Sequence, residues 1–214
     1  MARTFARSHN ASMKLEEAAP PALEPERVNS RLVDRLLDAR TVLVFGEITS
    51  SLAHTVCQQL LALSIESAEP IRVIVHSQGG HVEAGDTIHD MIRFVSPQVT
   101  MIGTGWVASA AALVYCAAER QRRLALPNTR FLLHQPLGGV RGPASDVEIE
   151  VQQVLAIRER VERILAEATG QSPERIKRDT ERNHWLGAEQ ALAYGLVGKI
   201  VQSAGDVGRD DARR

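Results

Sequence analysis

The chain has 214 residues, 44% hydrophobic and 24% charged, which is material for one globular domain with a sizeable core and tails at its ends. Acids and bases nearly cancel at a net charge of −1, so no bulk field argues for nucleic acid or an anionic membrane as partner. No apolar run approaches the ~18 residues of a membrane span and no signal-peptide core opens the sequence, so the expectation is a cytoplasmic protein.

Residues 1–29 are low in large apolar side chains and end in a Pro/Glu-rich piece, Ala19 to Glu26, and they read as a mobile arm before a domain spanning 30–203. A short helix is predicted near Ser30–Leu37, then a strand over Thr41–Phe45, with Gly46 and Ser50 as punctuation. Leu52, Val56, Leu60 and Leu63 fall at helical spacing. The β-branched run Ile71–Val75 reads as a buried parallel strand running into Ser77-Gln78-Gly79-Gly80, and Ala84, Ile88, Met91 and Val95 mark another amphipathic helix. A strand at Val99–Gly103, a helix over Ala110–Ala118 and strands at Leu124–Leu126 and Phe131–Leu133 follow. Cys57 and Cys116 both fall in apolar helical patterns, where a buried free thiol is expected.

Ser145-Asp146-Val147-Glu148 has the form of a capping box and predicts the start of a long helix ending at Gly170. A helix that long suits packing against a second copy of the chain. Ser172-Pro173 restarts a helix, Ala188–Tyr194 forms a short one stopped by Gly195, Leu196–Val201 gives a last strand, and 204–214 is a polar tail. Strand–helix alternation of this density argues for an α/β fold.

The chemistry gathers around Gly105 to Leu113. Ser109 stands where a strand gives way to an apolar helix, so its hydroxyl projects and the next backbone N–H faces any developing oxyanion. Small neighbours, Gly105, Ala108 and Ala110, leave room for another backbone. His134 closes the strand Phe131–Leu133 and enters the Gly-rich Gln135 to Gly139, a position that suits a general base as well as a satisfied core histidine. Gly79-Gly80 can approach a ligand closely, or simply turn the chain. Together these pieces supply a nucleophile, a base, oxyanion donors and an edge for an extended peptide. His81 to Asp90 contains metal-ligand types, but Asp86, His89 and Asp90 fall between apolar positions and read as a solvated helix face; no metal or other cofactor is expected.

From about Leu36 to Val201 the chain resembles the ClpP family, the proteolytic subunits of the ATP-dependent Clp protease. The likeness is densest at Gly105–Leu113, Leu126–Gly139, Thr169–Ser172, Arg178–Arg182 and Ala191–Val197. The resemblance implies Ser109 as nucleophile and His134 as base, with oxyanion N–H groups from Gly80 and Ala110. Gly79, Gly80, His81 and Val82 on one side and Leu137 on the other would hold the peptide as an added strand. It also implies a crotonase-like α/β fold and two stacked seven-membered rings joined through the long helix, fed by an AAA+ unfoldase.

Three departures qualify it. The family's triad aspartate position, after Thr180-Glu181-Arg182, is Asn183, which can orient an imidazole but brings no negative charge. Arg72, Ile74 and His76 replace the tyrosine-bearing strand of the family's unfoldase pocket, and Gln78 replaces a proline. The arm before Leu36 matches no pore segment of the family. The sequence therefore fits a divergent paralogue, either a serine endopeptidase or a catalytically weak ring subunit that assembles with a second ClpP paralogue.

Overall fold

In the computed structural model, residues 25–136, 139 and 141–207 are described. Three parallel strands form its centre: β1 (Thr41–Ile48), β2 (Ile71–Gly80) and β3 (Val99–Ala108). Ile71, Val73 and Val75 of β2 are fully buried, while the alternate Arg72, Ile74 and His76 are only part-covered. Only one face of β2 is therefore sealed, which the apolar run alone did not reveal. Gly46 lies inside β1 at φ 80°, where the pairing with β2 shifts register.

The sealed face is covered by α2 (Ser50–Glu66), α3 (Val82–Phe94) and α4 (Ala110–Tyr115). Thr49 caps α2 by accepting the Leu52 N–H at 3.2 Å. Cys57 and Cys116 are buried free thiols. Asp86 of α3 pairs with Arg160 and His89 is buried, so these two are packed rather than solvated, while Asp90 is exposed as expected.

Beyond β3 the sheet splits. β4 (Arg123–Ala125) and β7 (Lys199–Ile200) continue it in parallel from the first half of β3. β5 (Arg130–Leu133) pairs in parallel with the second half of β3, and β6 (His184–Gly187) lies antiparallel to β5. β7 is shorter than the predicted 196–201 strand because the Leu196 and Val197 amides turn back to the Ala191 carbonyl, closing α7 (Ala188–Tyr194).

The helix before the sheet, α1 (Pro25–Asp38), begins five residues ahead of the expected Ser30, with Pro25 at its first position, where a missing N–H costs nothing. The long helix α5 (Ala144–Thr169) has Pro143 as its N-cap, so Ser145 is already helical and makes no cap; the predicted capping box does not form. Only the C-terminal end of α5 joins the core, through Leu165 and Ala166, whereas Ile149, Val151 and Leu155 are exposed. Buried Arg123 donates to the carbonyls of Ala168 and Gly195, tying the C-terminal ends of α5 and α7 to the sheet. α6 (Pro173–Thr180), capped by Ser172, then carries the chain to β6.

Candidate active site

Ser109 sits at φ 56° and ψ −124°, between the last residue of β3 and the first of α4. A non-glycine residue there is strained, and the surroundings hold it: its N–H donates to the Leu132 carbonyl at 2.9 Å, and its carbonyl accepts from the Ala112 N–H at 2.9 Å. This is the sharp strand-to-helix turn on which a serine hydroxyl stands clear of the sheet. Buried Ala110 follows as the first residue of the helix, with its N–H among the unpaired donors of the first turn.

The Gly79-Gly80 backbone lies directly against this turn. A Cβ on Gly79 would come within 2.7 Å of the Ser109 Cβ and 2.8 Å of the Ala108 carbonyl oxygen. A Cβ on Gly80 would meet the Ile48 carbonyl oxygen at 2.2 Å. Only glycine fits at either position, and the buried Ser77 hydroxyl supports the turn by accepting the Gly79 N–H at 3.0 Å. His81 is engaged through its backbone: its N–H donates to Ile48 O at 2.9 Å and its carbonyl accepts from Gly85 N–H at 3.0 Å. Val82 opens α3 and faces the serine.

His134 follows β5 directly, and the register delivers it. Ala108 pairs with Leu132 in the parallel ladder, so the residue after each strand end falls near Ser109. Leu133 pairs with His184 in the antiparallel ladder, so His134 and Asn183 come next to each other. Ser109 and His134 line one small cavity of about 20 Å³, whose other walls are apolar: Val82, Leu113, Leu133, Pro136, Val161 and Leu165 among them. His134 and exposed Asn183 line a second, open hollow of about 430 Å³ with Gln135, Glu181 and Arg182. His134 is the one side chain common to both. Burial pushes its pKa below the usual histidine range, favouring the neutral ring that can accept a proton. Among the described residues no side-chain hydrogen bond joins Ser109 to His134 or His134 to Asn183.

Asp179 is engaged elsewhere. It accepts from the Tyr194 hydroxyl at 3.0 Å and pairs with Arg175 and Arg178. Burial pushes its carboxyl up, but Tyr194, His184 and the two arginines more than offset this and hold it below its ordinary value. Leu137 lies outside the described residues. Arg72 lines a separate hollow of about 970 Å³ on the part-covered face, and its guanidinium donates to Ala39 O at 2.8 Å.

Several features of the site escape sequence reading. β6 is too short and too poor in β-branched residues to announce itself, and Val161 and Leu165 look like ordinary core at helical spacing.

A sheet built from stacked βαβ units, with a long helix projecting from it, defines the crotonase-like ClpP fold. ClpP1 from Listeria monocytogenes superposes with a TM-score of 0.75 at 49% identity, covering 82% of this chain and 99% of that one. An Asn-to-Asp variant of the same protein gives 0.76 at 50% identity, covering 81% and 98%. Among curated relatives, the ATP-dependent Clp protease proteolytic subunit 3 of Rhizobium etli is 57% identical over 80% of this chain and 89% of its own length. Subunit 2 of Pseudomonas aeruginosa is 52% identical over 84% and 90%. The Clp protease family matches residues 24–204, and the chain belongs to that family.

Proposed function

We propose that the chain is a serine endopeptidase subunit of a Clp-type protease. The observation that carries this reading is the convergence of three strand ends: the strained Ser109 after β3, His134 after β5 and Asn183 before β6, with glycine backbone packed against the serine. The Ser109 hydroxyl attacks the peptide carbonyl and passes its proton to His134, which returns it to the leaving amine; water then releases the acyl group by the same relay. Asn183 orients the imidazole. The N–H groups of Gly80 and Ala110 meet the oxyanion, and Gly79 to Val82 with Leu137 hold the substrate extended. The apolar cavity beside Ser109 suits a small apolar side chain on the residue before the cleaved bond.

The assembly that fits is two stacked heptameric rings meeting through α5, whose exposed Ile149, Val151 and Leu155 need a cover. An AAA+ unfoldase is the expected supplier of unfolded protein. Arg72 puts a charge into the face where the family's unfoldase loops dock, which weakens apolar docking.

A second reading is favoured by a specific observation. Asn183 supplies no charge to His134, and the three residues are not hydrogen-bonded to one another. A catalytically weak subunit that joins rings with a second ClpP paralogue fits this equally. Hydrolysis of short fluorogenic peptides by the purified chain, with Ser109→Ala as control and ring size from mass photometry, separates the two. Ser109-dependent turnover by a large ring supports the peptidase; a silent, well-formed ring favours the weak partner subunit.

A further inference from the structure

The strands that end at Ser109, His134 and Asn183 meet in the narrowest part of the sheet. β5 joins β3 through three residue pairs, Trp106↔Arg130, Val107↔Phe131 and Ala108↔Leu132, and joins β6 through four, from Arg130↔Gly187 to Leu133↔His184. Among the described residues β6 has no other strand neighbour, so Asn183 is set relative to His134 by this short edge ladder and by two bonds beyond it, from the Gln135 N–H to the Thr180 carbonyl at 2.7 Å and from the Gln135 side-chain amide to the Glu181 carbonyl at 3.0 Å. Ladders so short open easily.

The outer face of this branch carries one large side chain from each strand: Trp106 from β3, Arg130 from β5 and Trp185 from β6. The two indole rings stack across β5 with centroids 6.4 Å apart and planes 8° from parallel. The Arg130 guanidinium lies 4.4 Å from the centre of the Trp185 ring. Gly187, opposite Arg130 in the ladder, has no side chain and leaves Arg130 room to lean along β6. Trp106 and Trp185 are 39% and 37% exposed, so they are not core filling, and the sequence contains no other tryptophan.

We infer that Trp106, Arg130 and Trp185 form a clamp that sets the spacing of the three strand ends and, through it, the alignment of His134 between Ser109 and Asn183. The inference rests on the peptidase reading. Trp106 lies three residues before Ser109 on β3, Arg130 four before His134 on β5 and Trp185 two after Asn183 on β6, each on the strand that leads to or from the residue it steadies. None touches the reacting atoms; all three are positioning residues. Because the catalytic side chains are not tied to one another by hydrogen bonds, their alignment is a population of strand positions. An aromatic stack of this kind shifts such a population by about two- to tenfold.

The test uses the full chain in its assembled form. Trp185→Leu and Trp185→Phe are compared with wild type for fluorophosphonate labelling of Ser109, for peptide kcat and KM separately, and for ring mass. Trp185→Leu is expected to lower kcat and labelling rate about two- to tenfold with KM within about twofold, in rings of unchanged mass. Trp185→Phe, which keeps an aromatic face, recovers most of the loss. Wild-type rates in Trp185→Leu overturn the clamp. So does a loss that merely follows smaller rings, which marks the stack as a subunit contact. If wild type neither labels nor turns over, the peptidase reading fails, and the clamp is judged by the His134 13Cε1 resonance. That signal must move in Trp185→Leu and return in Trp185→Phe; an unmoved signal overturns the clamp independently.

Discussion

Replacing Asn183 by aspartate adds one negative charge beside His134 without changing the shape of the side chain. The ladder pair Leu133↔His184 makes positions 134 and 183 the next opposed pair, with Cβ atoms about 5 Å apart. A carboxylate and an imidazolium at that distance attract by about 0.8 kcal/mol in bulk water and about 3 kcal/mol at an effective dielectric of about 20. The open hollow of about 430 Å³ beside them admits water, so the lower half of that range applies. A gain of about 1–2 kcal/mol raises turnover roughly 5- to 30-fold, well short of the ~10⁴-fold that separates aspartate from asparagine in a site built around the acid. The pH profile moves with it. In the wild type, burial holds the His134 pKa down, so the ring remains a competent base to unusually low pH. The new carboxylate favours the protonated ring, raises that pKa and shifts the acid limb of kcat/KM toward neutrality. The assay is peptide hydrolysis from pH 5 to 9 by rings of verified mass. Intact rings with unchanged turnover and an unmoved acid limb would refute the pairing of positions 134 and 183.

Ser109→Gly should abolish fluorophosphonate labelling yet raise stability by about 1 kcal/mol, because glycine accepts the positive φ that serine tolerates only under strain; thermal unfolding and labelling on the same sample check both halves. Gly80→Ala forces a Cβ onto the Ile48 carbonyl oxygen and is expected to cost about 1–3 kcal/mol or more, read as a lower melting temperature. Tyr194→Phe removes a hydrogen bond to Asp179 and should cost about 1 kcal/mol near neutral pH, measured by denaturant unfolding. The sign with pH follows from the lowered Asp179 carboxyl: its contribution is present above the ordinary aspartate range and is lost on acidification, so wild type and variant should converge in acid.

The placements of Ser109 and His134 at strand ends were legible in the sequence because each has a local signature, a serine among small residues at the start of an apolar helix and a histidine ending an apolar strand. Asn183 was reachable only by its place in a family motif. The strand that brings it to His134, β6, is four residues long and among the described residues pairs with β5 alone, so no periodicity betrays it. Ser145 misled because a capping box is defined by backbone shape as well as residue type, and Pro143 had already started the helix two residues earlier. His89 misled in the opposite sense. Its polarity suggests water, yet it is buried beside Asp90 on a helix whose neighbours come from distant parts of the chain. Local rules locate residues that announce their own conformation; they are silent where a distant segment decides.

His134 stands between an apolar crevice and an open hollow lined by polar side chains, and on the peptidase reading that partition bears on the two halves of peptide hydrolysis. Forming the acyl-enzyme benefits from exclusion of water, while breaking it requires one water molecule to arrive beside the base. On the peptidase reading, a substrate side chain fills the apolar crevice, and the open hollow lined by Asn183, Glu181 and Arg182 is the side from which that molecule can reach His134. A neighbouring protein segment seated over that inlet would leave acylation untouched and throttle release, turning steady hydrolysis into a single burst. Control over how long the enzyme holds its product would then lie at the doorway for solvent, on the far side of the histidine from the nucleophile.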